Sequence, residues 1–429
     1  MRKRNIQIFL TVLMTAAFLT GCSDSDSSTV EETPDTTEQV VDDEVQDYSV
    51  LSYKELEVLA YEGDVEAEYM LAQMLEYGNG DVEQDFEEAY NWYKEASDAG
   101  NADATCALGY FYLNGIYVEQ DLDQATELFN TAIEAGSINA NVGLGRTILA
   151  GLDLTDTTDE DAIDDTTDAS SDDTTEDVEN ESDLATVYSL FSAAADASDL
   201  DGMYYLGFLY ENGYGVTADL DNALSYYVQV ADSGSTDIDD QLAINMANTE
   251  IALIYIKEIE TAESENAEES DDADDTEDTE EETIDIENVA ERLTTASDNG
   301  YAKASYYLGQ IYENGIEVDK DYEKAMEYYL VAADSDFAPA LNQIGYMYYN
   351  GLGVDVDFAS AVYYQKLAAL QGYAKAQVNL GFLYENGYGV ERNLETALEY
   401  YEMAAEADYE GAMEAVVRVK AQINEESKN

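Results

Sequence analysis

The 429-residue chain contains no histidine. That excludes Ser-His-Asp and Cys-His nucleophilic arrangements and every zinc site built on imidazole. Cysteine is almost missing too. Cys22 and Cys106 are the only two, too few for a four-thiolate zinc site. Cys106 lies between Ala104 and Leu108 on the inner side of a predicted helix, where it reads as a small core hydrophobe. Positive charge is scarce: 17 Lys and Arg against 96 Asp and Glu give a formal net charge of −79. Such a surface repels nucleic acid and anionic lipid, so no nucleic-acid partner is expected. Carboxylates are so common that no pair stands out as the acid and nucleophile of a glycosidase. No glycine-rich phosphate loop precedes a helix, and the acidic tracts lack the glycine-containing loop of an EF-hand. The sequence therefore implies no cofactor and no resident metal, and points away from an enzyme.

What is present is a recurring phrase. Ala-x-x-x-Leu-Gly-x-x-Tyr-x-x-Gly-x-x-Val is followed by an acidic or Asn-containing turn and then by Ala-x-x-Tyr-Tyr-x-x-Ala-Ala. Clear copies start at Ala304, Ala340 and Ala376. A repeat of this length is the signature of a solenoid, in which each unit buries its apolar side against its neighbours. Ala304, Leu308, Ile311 and Tyr312 share one helical stripe, which predicts a first helix to about Glu313. Gly309 leaves room for another helix to approach, and Asn314-Gly315 supplies the stop. Asp321 stands at an N-cap position, and Ala325, Tyr328, Tyr329, Ala332 and Ala333 predict a second helix. Equivalent starting positions are Ala67, Ala104, Ala140, Gly202, Ala247, Ala340, Ala376 and Ala412.

Two of the long gaps in this register hold acidic low-complexity tracts, near 155–183 and 258–285. A second-helix pattern resumes after each, with Phe191 and Ala194 after the first and Val289, Leu293 and Ala296 after the second. The tracts therefore read as insertions in the loop between the two helices of a repeat. Loops lengthen cheaply, at about 0.6 kcal/mol per doubling. As solvated spacers they need no ligand, but they could also associate weakly with Ca²⁺ or Mg²⁺.

The pattern resembles the Sel-one-like repeat family, a branch of the tetratricopeptide-like α-solenoids. The carriers are Leu206-Gly207-Phe208-Leu209-Tyr210-Glu211-Asn212-Gly213-Tyr214-Gly215-Val216, its twin from Leu380 to Val390, and the second-helix segment from Ala397 to Ala405. The resemblance implies an all-α, right-handed solenoid of about eight repeats over residues 49–424, followed by a short tail, 425–429. It also implies an adaptor that assembles protein complexes. Helices at 52–61 and 410–424 are expected to cap the two ends, the second with Ala412, Ala415, Val416 and Val419 inward.

Residues 1–22 carry a charged start (Arg2, Lys3, Arg4) and a short apolar run, Ile6 to Leu19. That run is too short for a membrane span and reads as a secretory signal. Leu19-Thr20-Gly21-Cys22 resembles a bacterial lipobox. It implies acylation of Cys22, anchoring in the bacterial envelope and, where the host has two membranes, an outer-membrane location facing the periplasm. Residues 23–48 read as an acidic tether that cannot form a core.

One column suggests a binding surface. Two residues after the repeat Leu stand Gln73, Tyr110, Arg146, Phe208, Leu253, Gln310, Tyr346 and Phe382. In related solenoids the first helices line a concave groove. Tyr110, Phe208, Tyr346 and Phe382 are thus the expected contacts to a bound protein or peptide. The tyrosine pairs 226–227, 328–329, 363–364 and 400–401 are expected in the core. The leading functional expectation is a lipid-anchored, non-enzymatic scaffold. The alternative is a cation- or glycan-binding envelope protein whose acidic tracts do the work.

Overall fold

The computed structural model describes residues 48–78, 82–152, 176–237, 240–268 and 286–427. The signal segment, Cys22 and all of the tether before Tyr48 lie outside these residues, as do 153–175 and 269–285, the greater part of both acidic tracts. Among the described residues all regular structure is helical. A single turn of 3₁₀ helix at Tyr48–Val50 leads into α1 (Tyr53–Tyr61). Eight hairpins follow: α2 (Val65–Tyr77) with α3 (Phe86–Asp98), α4 (Ala102–Asn114) with α5 (Leu122–Ala135), α6 (Ala140–Gly151) with α7 (Glu176–Asp196), and α8 (Leu200–Asn212) with α9 (Leu220–Ala231). Then come α10 (Asp240–Glu268) with α11 (Ile286–Asp298), α12 (Ala302–Asn314) with α13 (Tyr322–Ala333), α14 (Ala338–Asn350) with α15 (Phe358–Leu370), and α16 (Ala374–Asn386) with α17 (Leu394–Glu406). The last helix is α18 (Ala412–Glu426). The chain forms two compact units, Met1–Ile244 and Asn245–Asn429. In each, consecutive helices pack on one another, as a solenoid requires.

The local signals act as read. Six first helices, α2, α4, α8, α12, α14 and α16, end on a left-handed glycine: Gly315 has φ 73° and donates its N–H to Ile311 O. Six second helices, α3, α5, α9, α13, α15 and α17, begin on a capping acid or amide. Asp321 accepts from the Lys324 N–H at 3.0 Å, and Asp85, Asp121, Asp219 and Asn393 make the same bond. Ser52 donates its own N–H to Glu55 at 2.9 Å as α1 begins. Glycine one residue after the repeat Leu admits the facing ring: a Cβ on Gly309 would lie 2.5 Å from the Tyr329 ring. In α18, Ala412, Ala415, Val416 and Val419 face inward as expected.

Several boundaries shift. Tyr48 belongs to the folded body rather than the tether, since its hydroxyl donates to Asp64 at 2.9 Å. The ends of the acidic tracts are helical: 176–183 lies in α7 and 258–268 in α10. Helix α18 runs two residues past 424. The pair 363–364 is out of register. Tyr364 takes the position of Tyr328, and the buried position of Tyr329 falls to Gln365, 2 % exposed. Tyr363 is exposed.

Buried pairing between the two helices of a hairpin follows a rule. Five residues after the repeat Leu stands a glutamate in four hairpins, and each glutamate accepts from a tyrosine hydroxyl on the second helix. The pairs are Tyr93 to Glu76 (2.6 Å), Tyr227 to Glu211 (2.8 Å), Tyr329 to Glu313 (2.5 Å) and Tyr401 to Glu385 (2.9 Å). Where the glutamate is absent, the hydroxyl is absent as well. Leu113 goes with Phe129, Leu149 with Phe191 and Ile256 with Leu293, all buried. The hairpin of α14 and α15 has Tyr349 with Gln365. A buried hydroxyl without an acceptor costs about 1–3 kcal/mol, so the two positions change together.

Candidate functional site, an aromatic cluster on the last two hairpins

The four aromatic residues expected to contact a partner divide by burial. Tyr110 and Phe208 are buried, at 5 % and 3 % exposed, and so present no surface to a ligand. This corrects the expectation for both. Tyr110 packs edge-on against Phe129 at 5.0 Å, with the Arg146 guanidinium 5.3 Å from its ring centre. Burial pushes its hydroxyl far above the usual tyrosine range. Phe208 packs on Tyr214 at 5.8 Å, and burial pushes the Tyr214 hydroxyl up to about 12. Tyr346 and Phe382 are exposed, at 44 % and 39 %.

The two exposed residues mark a larger cluster within Asn245–Asn429. Tyr349 lies one helical turn after Tyr346 on α14, so the two share a face. Its ring is 5.9 Å from Phe382, 5.8 Å from Tyr388 and 5.5 Å from Phe358. Phe358 and Tyr388 are 5.1 Å apart, and Phe382 and Tyr388 5.9 Å. Each part has a local cause. Tyr349 is free to turn here because it replaces the glutamate of the buried pair, and Gln365 replaces the hydroxyl that would have needed it. Gly389, at φ 70°, seats the Tyr388 turn against the start of α15; a Cβ there would lie 2.2 Å from the Phe358 carbonyl oxygen. Tyr349, Phe358 and Tyr388 were not singled out from the sequence. The available signal was Tyr349 standing where Glu313 and Glu385 stand in neighbouring copies.

The turns around the cluster are acidic. Asp355 and Asp357 precede Phe358, and Glu391 follows Tyr388 by three residues; all three are exposed. Asp357 accepts from the Ser360 hydroxyl and from the Ala359 N–H at 2.9 Å, and these bonds hold its carboxyl below the usual range. Arg392, in the same turn as Glu391, is engaged elsewhere: it donates to the Glu385 carbonyl at 3.0 Å and to Glu426 at 2.9 Å.

Among the described residues, no three acidic or cysteine side chains are grouped so as to hold a metal ion. No helix among them is long and apolar enough to cross a membrane. Cys106 is fully buried. The acidic tracts, to which Ca²⁺ or Mg²⁺ association was assigned, lie mostly outside the described residues.

The chain was compared with known proteins. Among solved structures it is similar to a Sel1 repeat protein from Oxalobacter formigenes, at 21 % identity over 92 % of this chain and 98 % of that one, with a TM-score of 0.48. It is also similar to c5321, described as a protective antigen of uropathogenic Escherichia coli with an SLR fold, at 20 % identity over 87 % and 91 % of the two chains, TM-score 0.32. A third is the immunity protein Pa5087 from Pseudomonas aeruginosa, at 18 % identity over 53 % and 75 %, TM-score 0.36. A comparison with curated proteins gave no significant match. The Sel1 repeat model matches residues 65–101, 102–137, 200–235, 302–337, 338–373 and 374–409. The two unmatched hairpins are those that the acidic tracts interrupt. With more than half of its residues matched as Sel1 repeats, the chain belongs to the Sel1 repeat family.

Proposed function

We propose that this protein is a non-enzymatic scaffold of the bacterial envelope, anchored through lipid on Cys22, that binds a protein or peptide over Tyr346, Tyr349, Phe382 and Tyr388. One observation carries the binding surface. Residues 206–216 and 380–390 have the same eleven-residue sequence, Leu-Gly-Phe-Leu-Tyr-Glu-Asn-Gly-Tyr-Gly-Val. In the first copy Phe208 and Tyr214 are covered, at 3 % and 1 % exposed. In the second, the equivalent Phe382 and Tyr388 are 39 % and 36 % exposed. The same local structure thus accepts a protein covering in one place and offers its rings to solvent in the other. Grouped exposed aromatic rings are what protein interfaces use for anchoring, because a rigid ring buries much area at little entropic cost. The family supports a scaffold role, and the missing histidine supports the absence of catalysis.

A photocrosslinking residue at position 346, compared with one at Tyr363, a still more exposed tyrosine on a second helix, tests the surface in native envelopes. The expected result is a discrete, reproducible set of protein adducts from 346 and none in common from 363. No adducts from 346, or the same ones from both, would overturn the reading. For the anchor, Cys22→Ser should abolish incorporation of labelled fatty acid and move the protein out of the membrane fraction. Retention of label in that variant would refute acylation at Cys22.

A further inference from the structure

We infer that the ring cluster Tyr349–Phe358–Phe382–Tyr388 docks a basic segment of a partner protein, one that places Lys or Arg side chains against the rings. The inference rests on the scaffold reading above and specifies the chemistry of the ligand.

Two independent observations lead there. The first is geometric: four rings, each within 5.9 Å of at least two others, stay partly open to solvent, and Tyr346 extends the face by one turn. Open ring faces attract cations through their quadrupole, and guanidinium stacks on them best. The protein already uses this contact. The Lys324 ammonium lies 3.9 Å from the Tyr312 ring centre, and the Arg146 guanidinium lies between the Tyr110 and Tyr205 rings at 5.3 and 5.8 Å. The second observation is charge. Around the cluster, exposed Asp355, Asp357 and Glu391 supply negative charge from both turns, and Arg392 beside them is already held by Glu385 and Glu426. The whole chain carries −79. An acidic or phosphorylated segment would meet repulsion at every approach. A neutral one would gain the rings but not the field, and a basic one gains both.

Fluorescence anisotropy on the full chain tests this with three labelled peptides of equal length. Each alternates leucine with a second residue type: arginine and lysine, glutamate, or serine. The expected order is basic well ahead of serine, with glutamate unbound. Raising NaCl from about 0.05 to about 0.5 M should weaken the basic peptide by about ten-fold or more. Phe382→Ala with Tyr388→Ala should weaken it by about five-fold or more at fixed salt, since each cation–π contact is worth about two- to five-fold. Asp355→Lys with Glu391→Lys leaves the rings in place and should lower affinity too. Circular dichroism of each variant confirms the fold. Equal binding of all three peptides, or tightest binding of the serine peptide, would overturn the basic preference while leaving the scaffold reading intact. Salt-sensitive binding that ignores both ring substitutions would show diffuse attraction to an acidic chain and would also overturn it. Failure of all peptides together with identical crosslinks from positions 346 and 363 would remove the scaffold reading itself.

Discussion

At the scale of single residues, the fold rests on matched pairs more than on composition. Tyr93 is fully buried and donates to Glu76 at 2.6 Å. Tyr93→Phe should cost about 1–3 kcal/mol, because a buried carboxylate loses one of its hydrogen bonds in a site that excludes water. Adding Glu76→Leu reproduces the Leu113–Phe129 pairing of the next hairpin and should recover part of the loss. A double-mutant cycle by urea denaturation measures the coupling, and purely additive losses would contradict the pairing. Glu68 is different. It is 8 % exposed, and one carboxylate oxygen has no hydrogen-bond partner. Burial, then the charges of Glu95 and Asp64, push its carboxyl above the ordinary value. A raised carboxyl contributes its full stability below the ordinary glutamate value and loses it as pH rises through the raised one. Glu68→Gln should therefore raise the melting temperature at pH 7, and the gain should vanish near pH 4. Single residues were also where sequence reading went astray. Phe208 and Phe382 sit in identical segments yet differ in burial, so the difference comes from what packs over them. No window of local sequence holds that information.

Helices and hairpins were far more legible. Their apolar period, Asp or Asn caps and terminal glycines are local, and each recurs in several copies. Tyr363-Tyr364 slipped because a doubled tyrosine looks the same one residue out of register; counting from Ala361 would have put Gln365 opposite Gly345. Close approach at the repeat glycine yields a ranked prediction. A Cβ at Gly309 would meet the Tyr329 ring at 2.5 Å, whereas at Gly381 it would meet the Tyr401 ring at 3.0 Å. Gly309→Ala should cost about 1–3 kcal/mol and Gly381→Ala less, as thermal melts of the two variants would show. The reverse order would mean that the ring at Gly309 yields more easily than the packing suggests. Helix α18 has an acid-sensitive fastening. Glu385 accepts from the Arg418 guanidinium at 2.7 Å and from Tyr401 at 2.9 Å. Burial alone would push its carboxyl up, but the Arg418 and Tyr401 bonds bring it below the ordinary value. A depressed carboxyl stabilises at pH above its ordinary value, and that contribution is lost as pH falls through the depressed one. Amide exchange in 412–426 should therefore lose protection ahead of 374–406 on acidification, and Arg418→Met should remove the difference.

At the scale of the molecule, charge governs. A formal net charge of −79 makes every hairpin carry repulsion that packing must exceed. Added salt screens it, so the melting temperature should climb by about several degrees between roughly 0.01 and 0.5 M NaCl, as calorimetry can record. A flat response would show that the carboxylates are too dispersed to matter.

The spacing of the hairpins has an evolutionary corollary. The Sel1 matches at 302–337, 338–373 and 374–409 abut without a residue between them. An in-frame genetic duplication of 338–373 would bring its own stop, cap and interlocking small residue, and would find a compatible neighbour on either side. The protein can thus be lengthened one module at a time, and each added module would arrive with another set of rings to vary.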